Sequence, residues 1–135
     1  MLNAHRFIEN PAIRTRREHF LDLEVMIPAL LEGWRLSLSA HRWLMPDGRV
    51  KGCDELTPRQ LKKRQLAEAN LSNGTPLVMP VLGIGINETI EIGAGAEIVT
   101  TLSALGHERV QAHIPLIHIE DFRDFLTEST RAAEL

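Results

Sequence analysis

Residues 93–96 read Gly-Ala-Gly-Ala and lie between a strand pattern and a helix pattern. The backbone N–H groups at the start of a helix can bind a phosphate, and glycine lets a ligand approach the backbone closely. A phosphate could therefore bind at a corner of this kind, and Gly93, Gly95, Ala96 and Glu97 are the candidate ligand-binding residues. The corner contains no Arg, Lys, His, Ser or Cys to hold or attack a bound group. We expect the backbone shape of a binding site without the side chains for a reaction.

A second candidate site is a basic cluster on a helix predicted to begin at Thr57. Its members, all assigned to the exposed side of the helix, are Arg59, Lys62, Lys63 and Arg64, and Arg14, Arg16 and Arg17 could extend it. Contacts from Lys and Arg to phosphates dominate affinity for nucleic acid, so the cluster could bind DNA. The chain has no Tyr and only 4% aromatic residues, which argues against stacking on single strands. The alternative is an ordinary solvated helix face.

Histidines and acids near the C-terminus are the candidates for a metal site, namely His107, His113, His118, Glu120 and Asp121. His113 and His118 are five residues apart and point to opposite faces of a straight strand, which favours structural roles. No nucleophile is paired with a base in a recognisable pattern, and Cys53 is the single cysteine. We predict no catalytic residue, no metal site and no cofactor.

Local signals divide the second half into alternating helices and strands. Thr57-Pro58-Arg59-Gln60 fits a capping box with proline in the first turn, and the helix should run to about Leu71 and end at Ser72-Asn73-Gly74. The spacing of apolar residues predicts the remaining elements. They are a strand near 77–84, a turn at 87–88, a strand at 89–92, a helix from the glycine corner to Gly106, a strand over 110–119, and a last helix with Ile119, Phe122, Phe125 and Leu126 on its apolar side.

The first half carries two competing patterns. Apolar residues at three- and four-residue intervals from Phe20 to Trp34 favour a helix, whereas the alternation over residues 21–27 favours a strand. We prefer the helix, although Pro28 weakens it beyond residue 27. Residues 34–40 alternate like a half-buried strand. The sequence Met-Pro-Asp-Gly-Arg at 45–49 predicts a turn, with a short return strand from Val50.

Length and composition are those of one ordinary globular domain. The 135 residues are 44% hydrophobic and 24% charged, with no signal-peptide pattern and no apolar run long enough to span a bilayer. We expect a cytoplasmic protein without membrane contact. The net charge is −3, with 12 Lys and Arg against 9 Asp and Glu in residues 1–70 and 3 against 9 in residues 71–135. Any nucleic-acid face should therefore lie in the first half.

Residues 54–119 resemble the ParB/sulfiredoxin-like superfamily, which includes the ParB-like nuclease module. The similar features are an acidic opening before a helix (Asp54 to Pro58), a strand that begins near Pro80, a hairpin, a glycine box that enters a short helix, and a strand of the form V-x-x-x-I-P from Val110. Gly95 and Gly106 are 11 positions apart, which is the spacing of the two glycines in partition proteins of this type. The resemblance implies a small mixed sheet with flanking helices.

The box itself departs from the family pattern. Partition proteins of this type carry G-E-R-R-x-R-A, and Ala96, Glu97 and Ile98 stand where the acid and two arginines that help bind nucleotide phosphates would be. Sulfiredoxins carry a catalytic cysteine and an arginine there, which this chain also lacks. Glu97 would repel a bound polyanion by roughly 1 to 4 kcal/mol. The helix dipole favours an anion by only ~0.3–1 kcal/mol at an exposed site. We expect an inert corner.

We therefore expect a single α+β domain over residues 1–135. Residues 1–53 form an N-terminal helix and hairpin extension, residues 54–119 the ParB/sulfiredoxin-like core, and residues 120–135 a C-terminal helix. Two functions remain open. The first is a non-catalytic ParB-like module of a mobile element, plasmid or phage that contacts DNA. The second is an interaction or homo-oligomerisation domain without a nucleic-acid or enzymatic role, which uses an edge strand or the apolar side of the C-terminal helix.

Overall fold

The chain folds as a mixed α+β protein, and a computed structural model describes its residues 6–127. The strands are β1 (Phe7–Ile8), β2 (Phe20–Met26), β3 (Leu77–Val78), β4 (Val81–Ile84), β5 (Ile90–Ala94) and β6 (Arg109–Pro115). The α-helices are α1 (Ile27–Trp34), α2 (Pro58–Asn73), α3 (Ala96–Ala104) and α4 (Ile119–Phe122). Short 3₁₀ segments occupy Pro11–His19, Leu38–Arg42, Cys53–Glu55, Leu116–His118 and Arg123–Phe125.

The main sheet has four strands in the order β2-β6-β4-β5. β2 and β6 pair antiparallel along their whole length, while β4 and β5 form an antiparallel hairpin. β4 and β6 pair in parallel, so the chain must cross over between them, which it does through β5 and α3. β1 and β3 form a separate parallel pair.

A single cluster of buried apolar residues joins the sheet to the helices. α1 packs against β5 and α3, and α2 packs against α3. Each large buried side chain stabilises the fold by roughly 1.5–3 kcal/mol relative to its exposed state. The largest come from both halves of the chain and include Ile13, Ile27, Leu30, Trp34, Leu77, Leu82, Leu102, Ile114, Phe122 and Leu126.

α2 begins and ends where its sequence predicts. Thr57 Oγ1 accepts a hydrogen bond from the backbone N–H of Gln60, and Gln60 Oε1 accepts one from the backbone N–H of Thr57. Pro58 lies in the first turn, where its missing N–H leaves no bond unmade. Gly74 ends the helix in the left-handed conformation at φ +72°. Local signals alone are enough to set these bounds.

The preferred helix over residues 20–26 is wrong, and the alternative strand is correct. β2 pairs with β6 from Phe20 to Met26, and this ladder supplies its backbone hydrogen bonds. Sequence spacing could not show this pairing, because the partner strand lies about ninety residues away. A helix does begin at Ile27, and Pro28 occupies its first turn instead of interrupting it.

The predicted strand over residues 34–40 is also wrong. Trp34 ends α1, and a 3₁₀ segment follows from Leu38. Ser37 Oγ accepts a hydrogen bond from Ser39 N and donates one to Glu91 of β5 at 2.5 Å. Side-chain hydrogen bonds of Ser37, and not the backbone hydrogen bonds of a strand, therefore connect residues 37–39 to β5.

Two predicted turns are confirmed. At residues 45–49, Gly48 has φ +93°, and Asp47 Oδ1 accepts a hydrogen bond from Arg49 N. The hairpin expected around this turn is reduced to one bridge between Leu44 and Val50. The turn before β5 includes Glu88 at φ +60°. The strand predicted near 77–84 is divided into β3 and β4 by Met79-Pro80.

The C-terminal elements are shorter than predicted. β6 ends at Pro115, where the missing N–H stops the ladder, and not at residue 119. The last helix is the single turn α4 followed by a 3₁₀ segment, and residues 128–135 of the predicted helix lie outside the described residues. Phe122 and Leu126 are fully buried in the core, so these two residues are not free to form the interaction surface that was one of the two alternatives for this segment.

No helix among residues 6–127 combines the length and the apolar character needed to cross a membrane.

A buried histidine connects the N-terminal segment to the sheet. The ring of His113, on β6, is fully buried, and its Nδ1 lies 2.6 Å from Asp22 Oδ1 on β2. Its Nε2 accepts a hydrogen bond of 3.0 Å from the backbone N–H of Asn10. Asp22 is also held by Arg17, whose Nη2 lies 2.6 Å from Oδ2. We call these four residues the His113 node, and both ring nitrogens of its histidine are occupied.

We predict that His113→Ala lowers the free energy of unfolding by about 2–4 kcal/mol, because it creates a cavity and leaves a buried N–H without its acceptor. Urea denaturation followed by circular dichroism measures the change. His118→Ala is the matched control. That side chain is about one-third exposed and its ion pair with Asp121 is longer, at 3.4 Å. We expect this control to cost less than ~1 kcal/mol. Equal losses for both variants would contradict a special role for the buried node.

Candidate functional site

The glycine corner has the backbone shape that the sequence predicts. β5 ends at Ala94, Gly95 is the N-cap residue, and α3 begins at Ala96, so a strand passes directly into a helix. The backbone N–H groups of Ile98 and Val99 both point back to the carbonyl oxygen of Gly95, at 3.0 and 3.2 Å. Glu97 lies in the first turn, where the positive end of the helix dipole favours a carboxylate.

Gly95 is required at this corner for two physical reasons. Its φ is +87°, a left-handed conformation that disfavours a side chain. A Cβ on this residue would also lie 2.8 Å from the Cα of Pro80, which is backbone that cannot move aside cheaply. The corner therefore packs directly onto the chain that leads into β4.

A cleft of about 480 Å³ opens beside the corner. The corner residues form one wall, α2 forms another, and β3 with Pro76 completes it. The lining residues are Asn10, Lys63, Leu66, Ala67, Asn70, Pro76, Leu77, Val78, Gly93, Ala94, Gly95, Glu97 and Ile98. Clefts of this size with apolar walls and a few polar groups are typical of small-molecule sites.

The α2 wall joins two regions that sequence reasoning treated separately. Lys63, Leu66, Ala67 and Asn70 recur at the three- and four-residue spacing of one helix face, and that face lines the cleft. Lys63 from the predicted basic cluster and Glu97 from the glycine corner thus line the same cleft. Helical spacing could have identified the stripe on α2, but the packing of α2 beside α3 could not be deduced from local signals.

Three of the four predicted basic residues on α2 have the expected exposure. Arg59, Lys62 and Lys63 are exposed. None of the three has an ion pair or side-chain hydrogen bond with any residue in the 6–127 range. These cations are therefore free to meet an external anion.

Arg64 is the exception, and its assignment to the exposed side of α2 is wrong. It is only 7% exposed. Its Nη1 donates a hydrogen bond to the carbonyl oxygen of Lys51 at 3.4 Å, and its Nε lies 3.7 Å from Glu68 Oε2. Arg64 lies three residues before Ala67, so both residues are on the buried face of α2. Arg64 therefore binds the segment before α2 and does not face solvent, where DNA would bind.

The three arginines of the N-terminal segment differ in how far carboxylates compensate their charge. Arg17 pairs with Glu9 at 2.9 Å and with Asp22 at 2.6 Å, and the guanidinium of Arg16 lies 5.6 Å from the ring centre of Phe20. Arg14 lies 4.0 Å from Glu9 and is largely exposed. Of these three arginines, Arg17 alone has close ion pairs, whereas Arg14 and Arg16 remain exposed cations.

Arg49, which precedes α2, is neutralised in the same way. It makes two hydrogen bonds to the carboxylate of Glu55, and these bonds together with the backbone N–H of Gly52 lower the pKa of Glu55 to about 2. Glu55 therefore stays ionised and paired at neutral pH. The exposed, unpaired cations of α2 itself are Arg59, Lys62 and Lys63.

Groups suited to metal or nucleophilic chemistry are not assembled in the described part of the chain. No cluster of three or more His, Cys, Asp or Glu able to hold a metal occurs there. Cys53 is exposed at the start of a 3₁₀ segment outside the lining of the cleft. His113 could bind a metal only by breaking the node.

Comparisons with known proteins do not assign the chain: no family model, no curated protein and no solved structure matches it.

We predict that Gly95→Ala destabilises the protein more than Gly74→Ala. Both glycines have positive φ, which costs a side chain about 1–2 kcal/mol. A Cβ at position 74 meets nothing within 4 Å, whereas one at position 95 meets Pro80. The clash should add about 1–3 kcal/mol, as overpacking typically does. Urea denaturation of both variants measures the difference, and equal stabilities would show that the corner does not pack on Pro80.

We also predict that the corner has no measurable affinity for CTP or ATP in the presence of magnesium. Glu97 places a negative charge at the helix start, and Lys63 is the single cation among the lining residues, which is too few for a triphosphate. Isothermal titration calorimetry provides the measurement. Saturable micromolar binding of either nucleotide would contradict the inert corner.

Proposed function

We propose that this chain is a non-catalytic ParB-like module that contacts the phosphate backbone of duplex DNA through α2. The observation that carries the proposal is the set of three exposed, unpaired cations on one helix: Arg59, Lys62 and Lys63. Most other cations considered for this face are paired with carboxylates. Unpaired surface cations gain the most from phosphate contact, because they need not give up an existing ion pair.

The order of elements supports the ParB-like part of the proposal. A capped helix, a hairpin, a glycine corner, a short helix and a strand follow one another over residues 54–119, in the order that the resemblance implies. The corner lacks the cations of the partition proteins and the cysteine of the sulfiredoxins. A module of this kind would keep the scaffold and act by binding.

Three phosphate contacts make the proposed interaction weak and independent of DNA sequence. Each contact contributes a slope of about −0.9 to the logarithm of affinity against the logarithm of salt, so a total near −3 is expected. The net charge of −3 and the acidic second half limit the affinity further. Backbone contacts position a protein on DNA without reading its bases.

We predict that the protein shifts a nonspecific DNA duplex in a native gel at low salt and that added salt removes the shift. The double variant Lys62→Glu/Lys63→Glu should abolish the shift, because it replaces two phosphate-binding cations with like charges. The control is Arg42→Glu/Arg109→Glu, which makes the same change of charge at exposed positions on other elements and additionally breaks the 3.8 Å ion pair between Arg109 and Glu24. Circular dichroism establishes that each variant is folded.

Absence of a shift at low salt would remove the DNA proposal, as would an equal loss in the control variant. The interaction-domain alternative would then be favoured. Its candidate surface includes three exposed apolar side chains, Leu36, Leu38 and Ile86, on segments that Glu91 joins through hydrogen bonds to Ser37 and Ser39. Ile86 in particular is completely exposed at the turn before β5.

A further inference from the structure

The cleft beside the glycine corner carries both signs of charge, and the two charges do not neutralise each other. Lys63 lies on the α2 wall and Glu97 on the α3 wall. Within the described residues neither side chain has an ion-pair partner within 4.0 Å, and they do not pair with each other. Both therefore remain available to a ligand in the cleft.

The rest of the cleft lining is mainly apolar. Leu66, Leu77, Val78 and Ile98 are among the lining residues, and Asn70 is one of the few polar ones. Leu66 lines the cleft and is 63% exposed, so its apolar side chain is left in contact with water. An apolar ligand body in the cleft would cover this side chain.

We propose that the cleft binds a small zwitterion with an apolar body, of the class of apolar amino acids and short peptides. The ligand carboxylate would meet the ammonium of Lys63, and the ligand ammonium would meet the carboxylate of Glu97. The apolar body would lie against Leu66 and Ile98. This ligand class satisfies both uncompensated charges at once, whereas a simple anion or a simple cation satisfies one and is repelled by the other.

The inference goes beyond DNA contact and is independent of it except that Lys63 serves both. Glu97 and the apolar walls play no part in the proposed DNA contact. Lys62 is adjacent and exposed but does not line the cleft. These two positions separate the proposals experimentally.

The test is a titration of the ¹⁵N-labelled, full-length protein followed by two-dimensional NMR, with three probes of nearly equal shape. Leucine carries both charges, 3-methylbutylamine lacks the carboxylate, and 4-methylpentanoate lacks the ammonium. We expect saturable shifts of the amides of Gly93, Gly95 and Ala96, with leucine binding up to about fivefold tighter than either analogue, which is the most that one exposed ion pair contributes. A parallel titration with leucyl-leucine distinguishes a peptide site from an amino-acid site. Tighter binding of leucyl-leucine indicates a peptide site, and tighter binding of leucine indicates an amino-acid site.

Two neutral variants assign each charge. Glu97→Gln should reduce the affinity for leucine to that for 4-methylpentanoate, without weakening the binding of 4-methylpentanoate itself. Lys63→Met should reduce the affinity for leucine to the affinity for 3-methylbutylamine. Lys62→Met, the matched control, should leave leucine binding unchanged while it weakens the DNA shift.

Three outcomes would overturn the inference. The first is the absence of saturable shifts at the corner for both zwitterions up to their solubility limits. The second is equal binding of leucine and its two singly charged analogues. The third is unchanged leucine binding in Glu97→Gln. Loss of DNA binding in Lys62→Met has no bearing on this site, so failure of one proposal is distinguishable from failure of the other.

Discussion

The hydrogen bonds of the buried His113 ring fix how the first and second halves of this chain meet. A backbone N–H can only donate, so the bond from Asn10 requires Nε2 to be an unprotonated acceptor. Nδ1 then carries the proton and donates it to Asp22. The backbone N–H of His113 donates to the carbonyl oxygen of Pro80. One residue thus connects the N-terminal segment, β2 and the chain entering β4. A non-polar replacement keeps the backbone bond to Pro80 but leaves the buried N–H of Asn10 without its acceptor and removes the ring from Asp22.

The candidate site depends on the same set of bonds. Asn10 lines the cleft, and its side chain donates to the carbonyl oxygen of Met79, next to Pro80. Pro80 in turn is the surface on which Gly95 packs too closely for any side chain. The position of the corner relative to α2 therefore follows from the buried polar node as much as from the apolar core. Such fully satisfied networks specify one arrangement because every alternative leaves a buried polar group without a partner.

Features set by neighbouring residues could be predicted from the sequence, and features set by distant pairing could not. The capping box of α2, the turn at Gly48 and the strand-to-helix corner at Gly95 each depend on a few consecutive residues. β2 was misassigned because its identity depends on β6, and Arg64 because its burial depends on the segment before α2. The cleft was missed for the same reason. It exists only where α2 packs beside α3.

Lys63 links the two proposed activities and sets their relation. Among the described residues, it is one of the three exposed, unpaired cations on α2 and the only cation that lines the cleft. A ligand carboxylate bound to it would neutralise a third of the basic face, while the ligand ammonium would be held by Glu97 on the other wall. The total charge of the protein would not change, but its distribution on α2 would. Because affinity for DNA depends on local phosphate contacts and not on total charge, an occupied cleft and a DNA-bound α2 oppose each other.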